Sequence, residues 1–357
     1  MSISLSLVSV FLSSFIFLFL CRKVAKKIGL VDKPNERKHH IGQIPLIGGI
    51  SIYISVILTL CLAFELTRSL ILYMTCSAVL IALGVLDDRF DLSFKIRLVF
   101  QTAISLAMIL IGYDSLHYLG FILGNEALVL PTYLSYVITI FAVIGAINAF
   151  NMVDGIDGLL GGLASVTFAA LGYMFYAAGS IELSHFCLLL VVAMLPYIML
   201  NLGIPFGQKF KVFMGDAGSM FIGFTVIWLL IEASQNQQHV VIRPVTALWF
   251  IAIPLMDMVC IMVRRVRKGQ SPFKPDREHL HHICQRLGLS SAKSLFLICT
   301  LAAVMAFIGV FSDLYQVSEE IMFIAFIGAF LVYYFAIAHI WRITSIIRTA
   351  FRLTKRI

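Results

Sequence analysis

The sequence predicts an all-α polytopic membrane protein, and three observations carry that expectation: its apolar runs are long, its charges are few, and those charges are unevenly placed. Of 357 residues, 60% are hydrophobic and only 13% are charged, where a soluble domain carries about 25% charged residues. A bilayer-spanning helix needs roughly 20 apolar residues, and the chain offers about eleven such runs. They lie near 4–20, 44–64, 70–86, 98–113, 131–148, 159–178, 184–202, 217–234, 244–263, 295–312 and 320–341. Little sequence is left between them, so residues 1–357 are expected to form a single membrane-embedded domain.

The first run lacks a basic segment before it and is followed by Arg22, Lys23, Lys26 and Lys27. It therefore reads as a retained span with its N-terminus outside, not as a cleaved signal peptide. With that start, every second loop is cytoplasmic, and 25 of the 27 Lys and Arg residues fall on that side, leaving only Arg68 and Arg243 outside. Such asymmetry is the positive-inside rule. It accounts for the net charge of +8 without nucleic acid as a partner, and it fixes the orientation of a multi-pass membrane protein with a cytoplasmic C-terminus. The seven cysteines show neither CxxC spacing nor Cys/His ligand spacing, so neither a disulfide framework nor a zinc site is expected.

Eleven of the nineteen acidic residues fall on the same side as the basic ones, several at the ends of apolar runs where a carboxylate is costly and usually functional. Four clusters stand out. The first is Asp87-Asp88-Arg89, at the end of the third run; two adjacent carboxylates repel and need a cation, either Arg89 or a bound metal. The second contains Asn148, Asn151, Asp154 and Asp157, spaced by three, so that neighbours share a helix face until two Asp-Gly steps let the chain turn. Oxygen ligands of this kind suit Mg²⁺ or Mn²⁺.

The third cluster runs from Lys209 and Lys211 through Phe213 to Gly215-Asp216-Ala217-Gly218. Asp216 reads either as an ordinary N-cap or as part of a phosphate or metal site at a helix N-terminus. The fourth is the longest loop, with Arg264, Arg265, Arg267 and Lys268 ahead of Asp276 and His279-Leu280-His281-His282. With Asp276 as N-cap, Leu280, Ile283, Cys284 and Leu287 form an apolar stripe, and His279, His282 and Arg286 share a polar face. On that reading His281 points elsewhere, which favours His279 and His282 as anion contacts. Carboxylates for a metal, cations for phosphates and glycines for close approach together describe phosphoryl transfer. The absence of a GxxxxGK[ST] loop excludes a P-loop enzyme.

These motifs, with Val31-Asp32-Lys33-Pro34, Pro45-Leu46-Ile47-Gly48-Gly49 and Pro254-Leu255-Met256-Asp257, resemble those of the polyprenyl-phosphate N-acetylhexosamine-1-phosphate transferases. Within that family the sequence is most similar to the WecA-type branch, the undecaprenyl-phosphate N-acetylglucosamine 1-phosphate transferases. The resemblance implies UDP-GlcNAc and undecaprenyl phosphate as substrates and a Mg²⁺ (or Mn²⁺) requirement. The products it implies are UMP and a lipid-linked GlcNAc that starts O-antigen or enterobacterial common antigen type glycans in lipopolysaccharide biosynthesis.

Carried over by position, it implies Asp87, Asp88 and Asp216 as catalytic residues, with Asp216, Asn151 and Asp88 around the metal. Asn148, Asp154, Asp157, Lys211, Phe213, Arg265, His279 and His282 are implied at the substrates. Membrane lipids are expected around the chain, and a homodimer is left open. Two alternatives compete: a secondary transporter, whose carboxylates would lie near mid-membrane, and a transferase for another UDP-N-acetylhexosamine.

Overall fold

The computed structural model describes residues 2–32, 42–236, 240–271 and 279–340. Each of the eleven apolar runs folds as helix. In chain order they are α1 (Ile3–Ile28), α2 (Gly48–Ala63), α3 (Arg68–Phe90), α4 (Phe94–Ala107, extended by a π turn to Gly112), α5 (Thr132–Val153), α6 (Leu159–Ala177), α7 (Ile181–Asn201), α8 (Gly215–Gln235), the pair α9 (Pro244–Phe250) and α10 (Ala252–Arg267), α12 (Ser291–Leu314) and α13 (Glu319–Ala338). The short α11 (Leu280–Arg286) lies between the last two groups. Among the described residues nine helices are long and apolar enough to cross a bilayer, while α2, at 16 residues, is shorter. The α9–α10 pair is bent by 81°. The eleven runs thus do not make eleven equal spans.

The bend has a local cause. Pro254 has no N–H to give to the Phe250 carbonyl four residues back, so the helix cannot run straight through. That carbonyl instead accepts from the Thr167 hydroxyl of α6 at 3.0 Å, which satisfies it inside a water-free interior. Beyond the break, Arg243 at the start of α9 reaches the Ser312 carbonyl and pairs with Asp313 of α12. The bent element is pinned on both sides.

The bundle is built around α8. In its most apolar stretch 94% of residues are buried, against 17% in α13, so one is the axis and the other a lipid-facing wall. Small residues let neighbouring helices approach the axis, as expected where lipid supplies no hydrophobic drive between helices. A Cβ on Gly49 of α2 would lie 2.0 Å from Gly218 Cα, one on Gly84 of α3 would lie 2.2 Å from Ala217 Cα, and one on Gly223 would lie 2.7 Å from Ile147 Cα of α5. These contacts are backbone against backbone and cannot yield by a rotamer change.

At one end of the bundle a two-stranded ribbon, β1 (Val31–Asp32) and β2 (Ile44–Pro45), leads into α2. The ribbon is tied to the entrance of α8. Phe213 N–H donates to Pro45 O, Gly48 N–H to Phe213 O, and Gly49 N–H to Met214 O, at 2.9–3.1 Å. The N-termini of α2 and α8 therefore sit side by side.

The glycine contacts make a direct expectation. Gly84→Ala should force α3 away from α8 at a cost of about 1–3 kcal/mol, read as a fall in melting temperature in detergent. Gly328→Ala on α13, where an added methyl meets nothing within 4 Å, should leave the melting temperature unchanged or slightly higher, because alanine favours helix by about 1 kcal/mol.

Candidate active site

The site assembles at the N-terminus of α8. That helix starts at Gly215, and its N-cap residue, Met214, offers no side-chain acceptor. Asp216 is accordingly not the cap that its position in sequence suggested. The cap comes from another helix: Asp88, near the end of α3, accepts from Asp216 N–H at 2.9 Å and Ala217 N–H at 3.3 Å. Gly215, with φ of +75°, makes room, since a Cβ there would lie 2.5 Å from Asp88 Oδ2. A carboxylate accepting two amides at a positive helix end is well held, and it brings Asp88 beside Asp216.

Asn151, in the last turn of α5, donates its amide to Asp216 Oδ1 at 2.6 Å and to the Ser219 hydroxyl at 2.8 Å. The amide therefore orients Asp216. Asn148, one turn earlier, is engaged differently, donating to Gln101 of α4 at 3.1 Å and to the Ile144 carbonyl. The spacing-by-three argument holds only for these two: α5 ends at Val153, Asp154 is its exposed C-cap, and Asp157 lies in the following loop.

The acid pair splits by role. Asp87 Oδ1 accepts from Leu92 N–H and Oδ2 pairs with Arg97 of α4, both at 2.9 Å. Its charge is balanced by Arg97, and its work is to close the α3–α4 corner. Arg89, the adjacent cation, lies instead over Gly29 at the C-terminus of α1, where positive charge is favoured. Asp157 is likewise balanced, by Lys211 Nζ at 2.6 Å. Lys211 in turn lies 5.4 Å above the Phe213 ring, so Asp157, Lys211 and Phe213 form one connected group.

Asp88 and Asp216 are the exception. Among the described residues neither pairs with a Lys or Arg, and their partners are neutral amides. Two neighbouring carboxylates without a protein cation fit a hard divalent ion, which uses one or two carboxylates and takes its remaining ligands from phosphates and water. Consistent with that sparse donor set, no three His, Cys, Asp or Glu side chains among the described residues are grouped to hold a metal by themselves.

The histidines correct a second expectation. Asp276 lies outside the described residues, and α11 begins at Leu280 with His279 as its extended N-cap, φ −66° and ψ 156°. Because His279 precedes the helix, the 100° rule does not separate it from its neighbours, and all three rings gather. His279 and His281 are parallel with centroids 5.6 Å apart, and His281 and His282 are 4.2 Å apart. His281, expected to point away, is 2% exposed. Its Nε2 has no hydrogen-bond partner among the described residues and lies 2.0 Å from where a Cβ of Gly155 would be. Burial, then the neighbouring His282 and His279, push its pKa down to about 3, so this ring is neutral and joins α11 to the Asp154–Asp157 loop by packing. The apolar stripe holds: Ile283 and Cys284 are buried, with Leu280 and Leu287 packed beside them.

Two contributors, Asn201 and Arg97, escaped the sequence reading, and a third, Asp257, entered it only as part of a motif with no role. Asp257 of α10 is 2% exposed and accepts from His279 Nδ1 at 2.9 Å, Leu280 N–H at 3.0 Å and the Tyr333 hydroxyl at 2.8 Å. Asn201, at the end of α7, accepts from Gly158 N–H at 2.5 Å and donates to Val212 O at 2.8 Å, tying the Asp157 loop to the Lys211 segment. Arg97 gave no signal beyond being basic. Arg265 is buried on α10, about two turns from Asp257.

A helical membrane bundle whose carboxylates, buried cations and histidines meet at one end of a central helix is the framework of a membrane glycosyl-phosphate transferase, and the glycosyl transferase family 4 pattern matches residues 70–234, from α3 to the end of α8. Over its whole length the chain is 50% identical to the undecaprenyl-phosphate alpha-N-acetylglucosaminyl 1-phosphate transferase of Escherichia coli (strain K12), covering 96% of that protein. It is 50% identical to the Haemophilus influenzae protein of the same name over 99% of both chains. With the Salmonella typhi protein of that name the identity is 52%, over 98% of this chain and 95% of the relative. The chain belongs to this family.

Asn201→Ala should strand the buried Gly158 N–H and Val212 carbonyl at about 1–3 kcal/mol each. A lowered melting temperature together with a raised KM for the soluble substrate is the expected outcome. Asn201→Asp, which keeps the acceptor but not the donor, should fall between that variant and the unaltered chain.

Proposed function

We propose that this chain, as a single membrane-embedded transferase domain, moves GlcNAc-1-phosphate from UDP-GlcNAc to undecaprenyl phosphate and releases UMP. The observation that carries the reading is the carboxylate pair Asp88 and Asp216, without a Lys or Arg partner among the described residues and held at the N-terminus of α8 by Asn151 and two backbone amides. Around it stand the Asp157–Lys211–Phe213 group and the histidines packed on Gly155. The full-length identity to transferases of that name supports the choice of substrates.

The reaction needs a membrane enzyme because its substrates occupy different phases. A cavity of about 410 Å³ lies between α5, α8, α9 and α10, with Ile138, Ile227, Leu248, Met258 and Phe323 among its apolar lining. Phe141, at its rim, is 70% exposed, so the cavity opens on the lipid-facing surface. Gly145 and Ala146 line it one turn before Asn148. This suits a polyprenyl chain in hydrocarbon with its phosphate directed to the polar end.

In the reaction an oxygen of the lipid phosphate bonds to the phosphorus that bears the sugar, and the bond from that phosphorus to the UMP oxygen breaks. A lipid phosphate has its second pKa near ~6, so it is already a nucleophilic dianion and needs no general base. Asp88 and Asp216, with Asn151 orienting Asp216, would hold Mg²⁺ or Mn²⁺, which when bound would neutralise phosphate oxygens and the leaving UMP. Lys211, kept in place by Asp157, faces the anionic end of the nucleotide, and Phe213 offers a ring to the base. His279, His282 and Arg265 contact the diphosphate or the sugar, and Asp154 the nucleotide. Asp87 shapes the corner that presents Asp88. The site is assigned to the cytoplasmic side of the inner membrane, supported by the placement of 25 of 27 basic residues.

Purified protein in detergent should release UMP from UDP-GlcNAc only when undecaprenyl phosphate and a divalent cation are both present. Uptake of substrate into proteoliposomes without product would support a transporter instead, and a panel of UDP-sugars tests the choice of hexosamine. Asp88→Asn keeps an oxygen for the α8 amides but removes the charge, so it should stay folded while losing on the order of 10²-fold or more in kcat. Asp87→Asn should lose less, and its loss should be the same at pH 7 and pH 9; recovery at the higher pH would assign Asp87 as a base.

A further inference from the structure

Tyr333 lies on α13, the most lipid-exposed helix, and none of the sequence motifs includes it. Yet its hydroxyl reaches Asp257 Oδ1 at 2.8 Å, at a carboxylate that is itself 2% exposed and sits on α10 among Met256, Met258 and Cys260. A buried carboxylate is tolerated only when its acceptor positions are filled. Three donors fill those of Asp257: Tyr333 and Leu280 N–H on Oδ1, and His279 on Oδ2. A carboxylate only accepts, so the His279 atom facing it, Nδ1, carries the proton. That leaves Nε2 as the atom available to a ligand, in the manner of carboxylate–histidine pairs that set tautomer and ring orientation.

The geometry points to Tyr333 and Asp257 as positioning residues for His279, a relay that sets the ring's tautomer and aim from the membrane-facing side of the bundle. This rests on the transferase reading, in which His279 meets the diphosphate or the sugar. The Leu280 bond anchors the start of α11, whereas the Tyr333 bond touches neither α11 nor any residue assigned to substrate. Its removal leaves one Asp257 oxygen less constrained, and the carboxylate can rotate away from Nδ1. Tyr333 therefore acts only through Asp257 and His279. A residue whose role were simply to pack α13 against α10 would act irrespective of what stands at position 279.

That difference is measurable as a double-mutant cycle in the UMP-release assay, with the full-length protein, UDP-GlcNAc and undecaprenyl phosphate. Tyr333→Phe should lower kcat/KM about tenfold, the scale of one hydrogen bond to a charged group. In a His279→Ala background the same change should alter the residual rate by less than about twofold, because the residue it serves is gone. Equal losses in both backgrounds, or no loss in the first, would overturn the relay while leaving the transferase reading intact. No UMP release from the unaltered protein would instead bring down the transferase reading itself. Asp257→Asn serves as the second variant if Tyr333→Phe is not recovered folded: a side-chain amide still accepts from Leu280 N–H, so its loss should also vanish when His279 is absent, and a loss that persists would refute the relay.

Discussion

The site depends on one interaction, the cap that Asp88 supplies to α8. A helix buried along nearly its whole length cannot leave its first amides to water, and Met214 has no side-chain acceptor to offer them. A carboxylate from α3 takes two of those amides, so the same contact satisfies the helix dipole, joins α3 to the axis of the bundle, and puts two acidic groups side by side. The glycines at positions 84 and 215 make room for that contact, and Gly49 lets α2 approach the same end of α8: each lacks a Cβ that would hold the chains apart. Structural need and chemical use coincide in one carboxylate.

Around this point the other charged groups divide by whether the protein itself balances them. Asp87 has Arg97, Asp157 has Lys211, and Asp257 has His279 with two neutral donors. Each of these pairs closes a junction between elements: α3 with α4, the α5–α6 loop with the approach to α8, and α10 with α11. Asp88 and Asp216, by contrast, have only neutral hydrogen-bond partners among the described residues. In the proposed reaction, this charge without a Lys or Arg partner among the described residues is where a metal and the substrate phosphates would bind, and the balanced pairs around it would keep that place rigid.

The bend between α9 and α10 serves the membrane side of the same problem. Pro254 frees the Phe250 carbonyl, and Thr167 takes it up, so the break is stable within hydrocarbon. It opens an apolar cavity beside α5 and allows α10 to run on toward the site carrying Asp257 and Arg265. One missing N–H thus connects a lipid-facing cavity with a polar site.

The sequence by itself determined the helical membrane class, the positions of the helical runs, and the polar motifs from which the candidate site is drawn, though not Arg97 or Asn201. These follow from composition and from residue types in short windows: apolar runs of about 20 residues have few other fates, and carboxylates at their ends are rarely idle. Even so, the unequal lengths of the spans were not legible, because apolar character does not mark where a helix ends, and Pro254 marked a possible break near Ile251 without fixing its angle. Tertiary structure alone decided which acid met which partner. Arg97 rather than Arg89 balances Asp87, Asp88 rather than Asp216 caps α8, and His281 joins the other two histidines because α11 starts after His279 instead of before it. Such pairings are set by contacts between residues tens to hundreds of positions apart, such as Asp88 with Asp216 and Asp257 with Tyr333, and helical periodicity relates only residues on the same helix.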